Sequence, residues 1–381
     1  MNDTPPELPN LQILRKIGEG GMSSVWKAHD LVRDEIVAVK ILNHDLSENP
    51  EDIELFRSEA EALSAMNHQS IVKSYDLSCH EGVWYYTMEF VDGYTFGSLL
   101  ARKQHLGESD CLLICESVAV ALDFAWNEYG LVHCDIKPEN IMINSEGIVK
   151  LMDLGLCHTF TYMQEGRQDV PDHVMGTPAY ISPEQVYGDL EPDCRTDIYS
   201  LAASLYHLAT GRMLFPGLDS EDMMRAHCND QSQARDPRYY RPSLSEGFCQ
   251  LLEAMLVKDR DYRIPSWKDV CTMCLDIEQG LAFKPRPTDR PSSLLLATAS
   301  DSSGIVTAST RRIDFAETRR LDDNPAQSAV PEPKRRVMTL HKNRHHGPMI
   351  QTDPNSGKKI LTKHKPANPK FRINKPADWY D

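Results

Sequence analysis

Four residues set the chemistry this chain can do. Asp135, Lys137 and Asn140 fall within the run His133-Cys134-Asp135-Ile136-Lys137-Pro138-Glu139-Asn140, and thirteen residues further on comes Asp153-Leu154-Gly155. That order gathers a carboxylate, an ammonium, an amide and a second carboxylate around a short hairpin. A carboxylate can accept a hydroxyl proton, and amide and carboxylate oxygens are the hard ligands that magnesium takes. Together they suit transfer of a metal-bound phosphoryl group, a reaction that asks mainly for positioning and electrostatic support. Upstream, Ile17-Gly18-Glu19-Gly20-Gly21-Met22-Ser23-Ser24-Val25 places three glycines in a turn. Backbone N–H groups there can approach phosphate oxygens with no Cβ in the way.

The hydrophobic pattern supplies elements to hold these groups. Residues 11–17 and 24–29 read as strands flanking the glycine turn, and 35–42 as a third, β-branched strand. A helix is expected over 51–66, with Leu55, Glu59, Leu63 and Met66 on its inward stripe and Glu54, Arg57 and Glu61 toward water. Glu59 is thus a charge in an apolar row, and a buried carboxylate needs a partner. Two more strands are expected over 71–77 and 83–90. Beyond Gly93 the pattern turns helical, with long apolar helices over 111–128 and 196–210, the second stopped by Gly211. Between them lie short strands at 141–143 and 148–152, joined by Asn144-Ser145-Glu146-Gly147. Mostly β followed by mostly α predicts an α+β chain of two lobes with a cleft between them.

These motifs together resemble the serine/threonine protein kinases of the eukaryotic-like type found in bacteria, over residues 11–282. The likeness adds Val37-Ala38-Val39-Lys40, Glu59 within Phe56-Arg57-Ser58-Glu59-Ala60, Gly176-Thr177-Pro178-Ala179-Tyr180-Ile181-Ser182-Pro183-Glu184, and Asp197 and Arg263. It implies the two-lobed kinase fold, with an N-lobe (11–90) of antiparallel sheet plus one helix and a mainly helical C-lobe (93–282). It implies ATP and Mg²⁺ as well, with the ATP γ-phosphoryl group passing to Ser/Thr hydroxyls of protein substrates and autophosphorylation among the reactions. By the same resemblance Lys40 binds the α- and β-phosphates and pairs with Glu59. The glycine turn 17–25 covers the phosphates, although Ser23 stands at the family's third glycine. The backbone of Glu89 and Val91 would meet adenine, with Met88 behind it. Asp135 would be the base, Lys137 would offset charge on the transferring group, and Asn140 and Asp153 would hold Mg²⁺. Glu184 would pair with Arg263, and Asp197 would anchor the catalytic loop. Lys137 and Thr177 favour serine/threonine over tyrosine acceptors.

Departures from the pattern carry expectations of their own. Cys134 stands where most of the family has an arginine that pairs with activation-segment phosphate. Cysteine cannot do so. With Thr159 and Thr161 early in that segment and Asp169 and Asp172 later, activity is expected not to be switched by phosphorylating it. Leu154 replaces a phenylalanine. Two competitors are weighed: a pseudokinase scaffold that binds without turnover, against which the full set Lys40, Glu59, Asp135, Asn140 and Asp153 argues, and a small-molecule phosphotransferase of related fold, disfavoured by the segment ending at Glu184.

Composition bounds the rest. The first ten residues show no basic or apolar leader pattern, and the most apolar run of the C-terminal part, Leu294 to Ala297, is too short to span a bilayer, so a cytoplasmic protein with reduced thiols is expected. Cys271 and Cys274 form a lone C-x-x-C that reads as one face of a helix. From Lys284 onward, 19 Lys/Arg face 10 Asp/Glu, against 22 and 46 in the preceding body, so an acidic body is joined to a basic tail. That tail, 284–381, holds 11 of the 24 prolines and no sustained period, which predicts disorder. It is read as a solvated extension, as a segment folding back on the body, or as a nucleic-acid contact, the last disfavoured because no nucleic-acid fold accompanies it.

Overall fold

The computed structural model describes residues 6–154, 176–189, 191–281, 292–295, 351–352 and 359–360. Strands β1 (Leu11–Glu19), β2 (Ser23–Asp30), β3 (Glu35–Leu42), β4 (Ser74–His80) and β5 (Val83–Glu89) form an antiparallel sheet in the order β1-β2-β3-β5-β4. Side chains alternate across a strand, so β3 faces two ways. Val37, Val39 and Ile41 enter a cluster with Trp26, Ala28 and Tyr85, while Leu42 packs in a second cluster with the helix below. Lys40 shares the face of Leu42.

That helix, α1 (Pro50–Ala65), starts on an Asn49 cap whose side chain accepts the Glu51 N–H, with Pro50 at its first position. Its buried stripe is Phe56, Glu59, Ala60 and Leu63. Phe56 therefore takes the inward place expected of Leu55, which is only half-buried. Arg57 lies within 3.7 and 3.8 Å of Glu54 and Glu61 on the outer face. Past the helix, Val72 donates to the Leu151 carbonyl and Leu151 to that of Ser70, tying this lobe to the strand just before Asp153.

The second lobe is mainly helical. A small antiparallel sheet of β6 (Gly93–Thr95), β7 (Ile141–Asn144) and β8 (Val149–Leu151) carries the hairpin between Asn140 and Asp153. Around it stand α2 (Phe96–Lys103), α3 (Glu108–Tyr129), α4 (Pro183–Val186), α5 (Cys194–Thr210), α6 (Ser220–Cys228), α7 (Pro237–Tyr240), α8 (Glu246–Met255) and α9 (Trp267–Glu278). Helix α5 is the hub: all but two of its 17 residues are buried. Its polar side chains must therefore find partners inside the protein. It ends at Gly211, whose φ of 70° and closeness to the Gln104 carbonyl, 2.2 Å from any added Cβ, exclude other residues. Cys271 and Cys274 both sit on α9, the second buried.

The packed chain does not stop near residue 283. Strand β10 (Leu294–Leu295) pairs in parallel with β9 (Ala234–Arg235), and Ser293 donates its N–H to Leu256 at 2.9 Å. Ser293 and Leu294 are 0% and 1% exposed. A polar, proline-rich stretch with one short apolar run gave no periodic signal for this contact. A pair of two-residue strands, β11 (Gln351–Thr352) and β12 (Lys359–Ile360), belongs to a separate unit, Ala297–Lys365. Among the described residues no helix is long and apolar enough to cross a membrane.

Candidate active site

Glu59 has the partner its burial demanded. Lys40 Nζ lies 2.7 Å from Glu59 Oε1 and 2.7 Å from Asp153 Oδ1, so one ammonium joins sheet, helix and the hairpin's far end. Burial works against the Lys40 charge, but the two carboxylates outweigh it and hold its pKa well above the ordinary value. Glu59 is raised by its own burial, only partly offset by Lys40. Asp153 is lowered, chiefly by the Lys40 charge. Its side chain is 42% exposed, against 11% for that of Lys40, and so opens toward the cleft. Tyr86 also reaches this group, its hydroxyl donating to Glu59 Oε1 at 3.0 Å.

On the other side of the hairpin, Asp135 gathers three neighbours. Lys137 Nζ lies 2.6 Å from its Oδ2, and the Thr177 hydroxyl donates to its Oδ1 at 2.7 Å. Lys137 also donates to Thr177 Oγ1 at 2.9 Å. Asn140 Nδ2 donates to the Asp135 carbonyl at 2.9 Å and stands 3.2 Å from Oδ2. With its NH₂ engaged there, the Asn140 amide turns its oxygen away from Asp135. Among the described residues no cluster of three or more His, Cys, Asp or Glu could hold a metal by itself. Magnesium does not require one: it is bound by one or two protein oxygens together with phosphates and water, and Asn140 with Asp153 fits that donor set.

The loop bearing Asp135 is held from below by α5. Asp197 accepts the His133 N–H at 2.6 Å and the Cys134 N–H at 2.8 Å. Its burial pushes the carboxyl up to about 6, against the pull of His133 and those two N–H groups. Cys134 has φ of 65° and Asp153 φ of 54°, left-handed conformations that side chains seldom adopt. Such strain persists only where surrounding contacts fix it, as Asp197 and Lys40 do here. The Cys134 carbonyl also accepts from Gln185 Nε2 at 2.7 Å, joining the loop to α4. From α4 itself, Glu184 meets Arg263 in a buried ion pair.

The remaining expected residues lie on the five-stranded sheet and just beyond its end. In the 17–25 turn, Gly20 N–H donates to Ser23 O at 2.8 Å, and Met22 O accepts from Asn43 N–H at 2.9 Å. Ile17, Glu19, Gly20, Gly21 and Met22 are exposed, Gly18, Ser24 and Val25 half-buried, and Ser23 buried. A Cβ on Gly21 would meet nothing within 4 Å, so packing does not demand glycine there and the turn stands open. Glu89 donates its N–H to Lys73 O at 2.9 Å and its carboxylate lies 2.6 Å from Lys150, while Val91 is buried. Leu154 packs with Leu63 and Met66 of the helix side. Gly155, Thr159, Thr161, Asp169 and Asp172 lie outside the described residues. The structure adds Tyr86 and Gln185, which motif spacing did not mark. Strand alternation could have found the first, because Tyr86 lies directly opposite Lys40 in the ladder.

The protein kinase domain model matches residues 11–274. The serine/threonine-protein kinase PrkC of Bacillus subtilis is 33% identical over 259 residues, covering 68% of this chain and 39% of that protein. PknA of Corynebacterium glutamicum is 32% identical over 302 residues, covering 78% of this chain and 62% of the relative. The chain therefore spans less than two thirds of either relative. The kinase domain of Mycobacterium tuberculosis PknI shares the fold, with a TM-score of 0.55 at 23% identity over 71% of this chain and 97% of that one.

Proposed function

Since the chain belongs to the protein kinase family, in its bacterial serine/threonine type, we propose that it transfers the γ-phosphoryl group of ATP to Ser and Thr hydroxyls of proteins. The family in general uses ATP and Mg²⁺. The observation that carries the reading is the arrangement around Asp135. One carboxylate oxygen accepts a side-chain hydroxyl, that of Thr177, while the other is held by Lys137. A substrate hydroxyl offered to this carboxylate finds a proton acceptor already oriented, and Asp135 takes its proton as the oxygen attacks. Lys137 lies beside the same position and offsets negative charge on the group in transit.

Lys40 is fixed by two carboxylates and presents its charge to the cleft beneath the 17–25 turn. There it binds the α- and β-phosphates, with the turn's N–H groups above. Asn140 and Asp153 would hold magnesium, which neutralises phosphate charge when bound. Main-chain groups of Glu89 and Val91 take the adenine. We assign this catalytic unit to residues 11–282, joined to the basic tail, 284–381, of which 292–295 pack back on the unit. Lys40, Glu59, Asp135, Asn140 and Asp153 are all present and grouped, which argues against a scaffold without turnover.

The test is transfer of label from γ-labelled ATP to a protein acceptor or to the chain itself. Asp135→Asn is expected to lower turnover by about 100-fold or more. Label that never reaches a polypeptide, or that transfers equally well in the variant, would end this reading.

A further inference from the structure

Tyr86 occupies a position from which it can sense where α1 stands. It is on β5, in register with Lys40 on β3, and is fully buried. Its hydroxyl donates to the same Glu59 oxygen that Lys40 contacts, at 3.0 Å against 2.7 Å. Its ring meets Phe56, one turn earlier on the helix, with centroids 5.1 Å apart and planes at 45°. The Lys40 ammonium lies 5.9 Å from the ring centre. One side chain thus touches two successive turns of the helix and the lysine of the sheet.

We propose that Tyr86 is a positioning residue that latches α1 in place and keeps Glu59 against Lys40. If the helix swings or rotates away, Lys40 loses Glu59, and the Tyr86 hydroxyl is left in an apolar pocket with no acceptor. A buried donor without a partner is unfavourable, so the hydroxyl biases the helix toward the position in which the site is complete. The groups facing Glu59 are Lys40 from β3, Tyr86 from β5 and, through the shared ammonium, Asp153 from beyond β8. Tyr86 alone among them carries no charge. Its burial and the neighbouring Glu59 carboxylate raise its pKa well above the ordinary phenol value, so it remains a donor throughout the working range. A phenylalanine here would keep the ring against Phe56 and lose the latch.

The inference rests on the kinase reading for its effect on rate, but not for its effect on the helix. Tyr86→Phe in the full chain is expected to speed amide exchange in α1 by about tenfold, with exchange in α5 and the melting temperature unchanged. It is expected to lower kcat while leaving KM for ATP near the wild-type value, because Tyr86 acts through Glu59 and not through the main-chain groups of Glu89 and Val91 assigned to adenine. In a Glu59→Gln background the same change should have much less effect on either readout, since the charged acceptor is gone. Unaltered α1 exchange, an unaltered kcat, or an equal effect in the Gln background each overturns the proposal. If the wild-type chain transfers no phosphate at all, the kinase reading fails, and the exchange experiment still decides the latch.

Discussion

Arg263 meets Glu184 through two N–H···O contacts, 2.7 Å to Oε1 and 3.0 Å to Oε2, across 79 positions of sequence. Both side chains are buried, and the rest of the guanidinium is satisfied by the carbonyls of Val257, Arg195 and Lys258. The Thr196 hydroxyl completes Glu184. The pair thereby fixes α4, and through Gln185 the Cys134 carbonyl, to the base of the C-lobe. Removing one partner of such a pair leaves the other charge buried, so Arg263→Ala should destabilise the protein by about 3–5 kcal/mol. Glu184→Leu with Arg263→Met should lose less than that. Urea unfolding of the three proteins checks the order, and equal losses would refute the argument. Burial alone would raise the Glu184 carboxyl, but Arg263, together with a backbone N–H and the Thr196 hydroxyl, reverses this and holds it below its ordinary 4.5. Its contribution to stability is therefore present above about 4.5 and disappears as pH falls through the lower, folded-state value.

A second acid-sensitive group sits nearby. His227 is fully buried on α6, and the Tyr199 hydroxyl lies 2.7 Å from its Nδ1. Burial is the main force pushing its pKa down, to about 3, from 6.5. The folded state thus keeps the ring neutral where the unfolded chain would protonate it. Stability from this group is complete above 6.5 and declines as pH falls toward 3, by at most about 1.4 kcal/mol per pH unit. Asp197, raised to about 6, acts in the opposite sense: its contribution is lost as pH rises from its ordinary 3.8 through 6. His227→Asn should flatten the stability–pH slope between pH 4.5 and 6 by nearly one proton, leaving the contribution of Asp197 in place. Parallel slopes for variant and wild type would show that the ring does not titrate in this way.

Much of this site could be read in the sequence because its residues are local to motifs. Lys40, Asp135, Lys137, Asn140 and Asp153 sit on strands and a hairpin whose order follows from chain spacing, and Glu59 stood out as a charge in an apolar row. What could not be read depends on geometry between elements. Phe56 rather than Leu55 faces inward because it lies two turns before the buried Leu63, on the stripe that Leu63 and Met66 share, and its adjacent apolar neighbour falls to one side. Tyr86 looked like any strand aromatic until the β3–β5 register placed it opposite Lys40. Ser293 and Leu294 gave no period at all: the strand is held by pairing with β9 and by hydrogen bonds to Glu253 and Leu256 at the end of α8, about 40 to 60 positions away.

Cys134 bears on regulation. Its side chain is 2% exposed, with Sγ 3.8 Å from the Val132 carbonyl, and its own carbonyl is held by Gln185. A thiol so placed offers no fork for a phosphate. The loop is instead secured by Asp197 and Gln185, neither of which needs a modification. Thr159→Ala and Thr161→Ala, singly and together, are expected to leave turnover near wild type, as is prior treatment with a phosphatase. A large loss in any of these four cases would mean that phosphate on this segment is required after all.

The strand after the catalytic unit makes the last test. Leu294 is 1% exposed, Ser292 Oγ donates to Glu253 O at 2.9 Å, and Ser293 Oγ lies 2.6 Å from the Tyr199 hydroxyl on α5. Burying a leucine is worth about 1.5–3 kcal/mol, and Ala234 N–H loses its acceptor, the Ser293 carbonyl at 2.7 Å, if the strand is removed. A chain ending at residue 296 should therefore melt with the full-length protein, whereas one ending at 283 should be less stable by a few kcal/mol, in the range of about 2–4. Leu294→Ala in the full-length chain should reproduce roughly half or more of that loss. Activity changes on deleting 284–381 must then be compared with those of the 296 truncation, because only their difference reports on the basic tail. If the chains ending at 283 and 296 melt together, the strand contributes nothing to the fold and its burial is incidental.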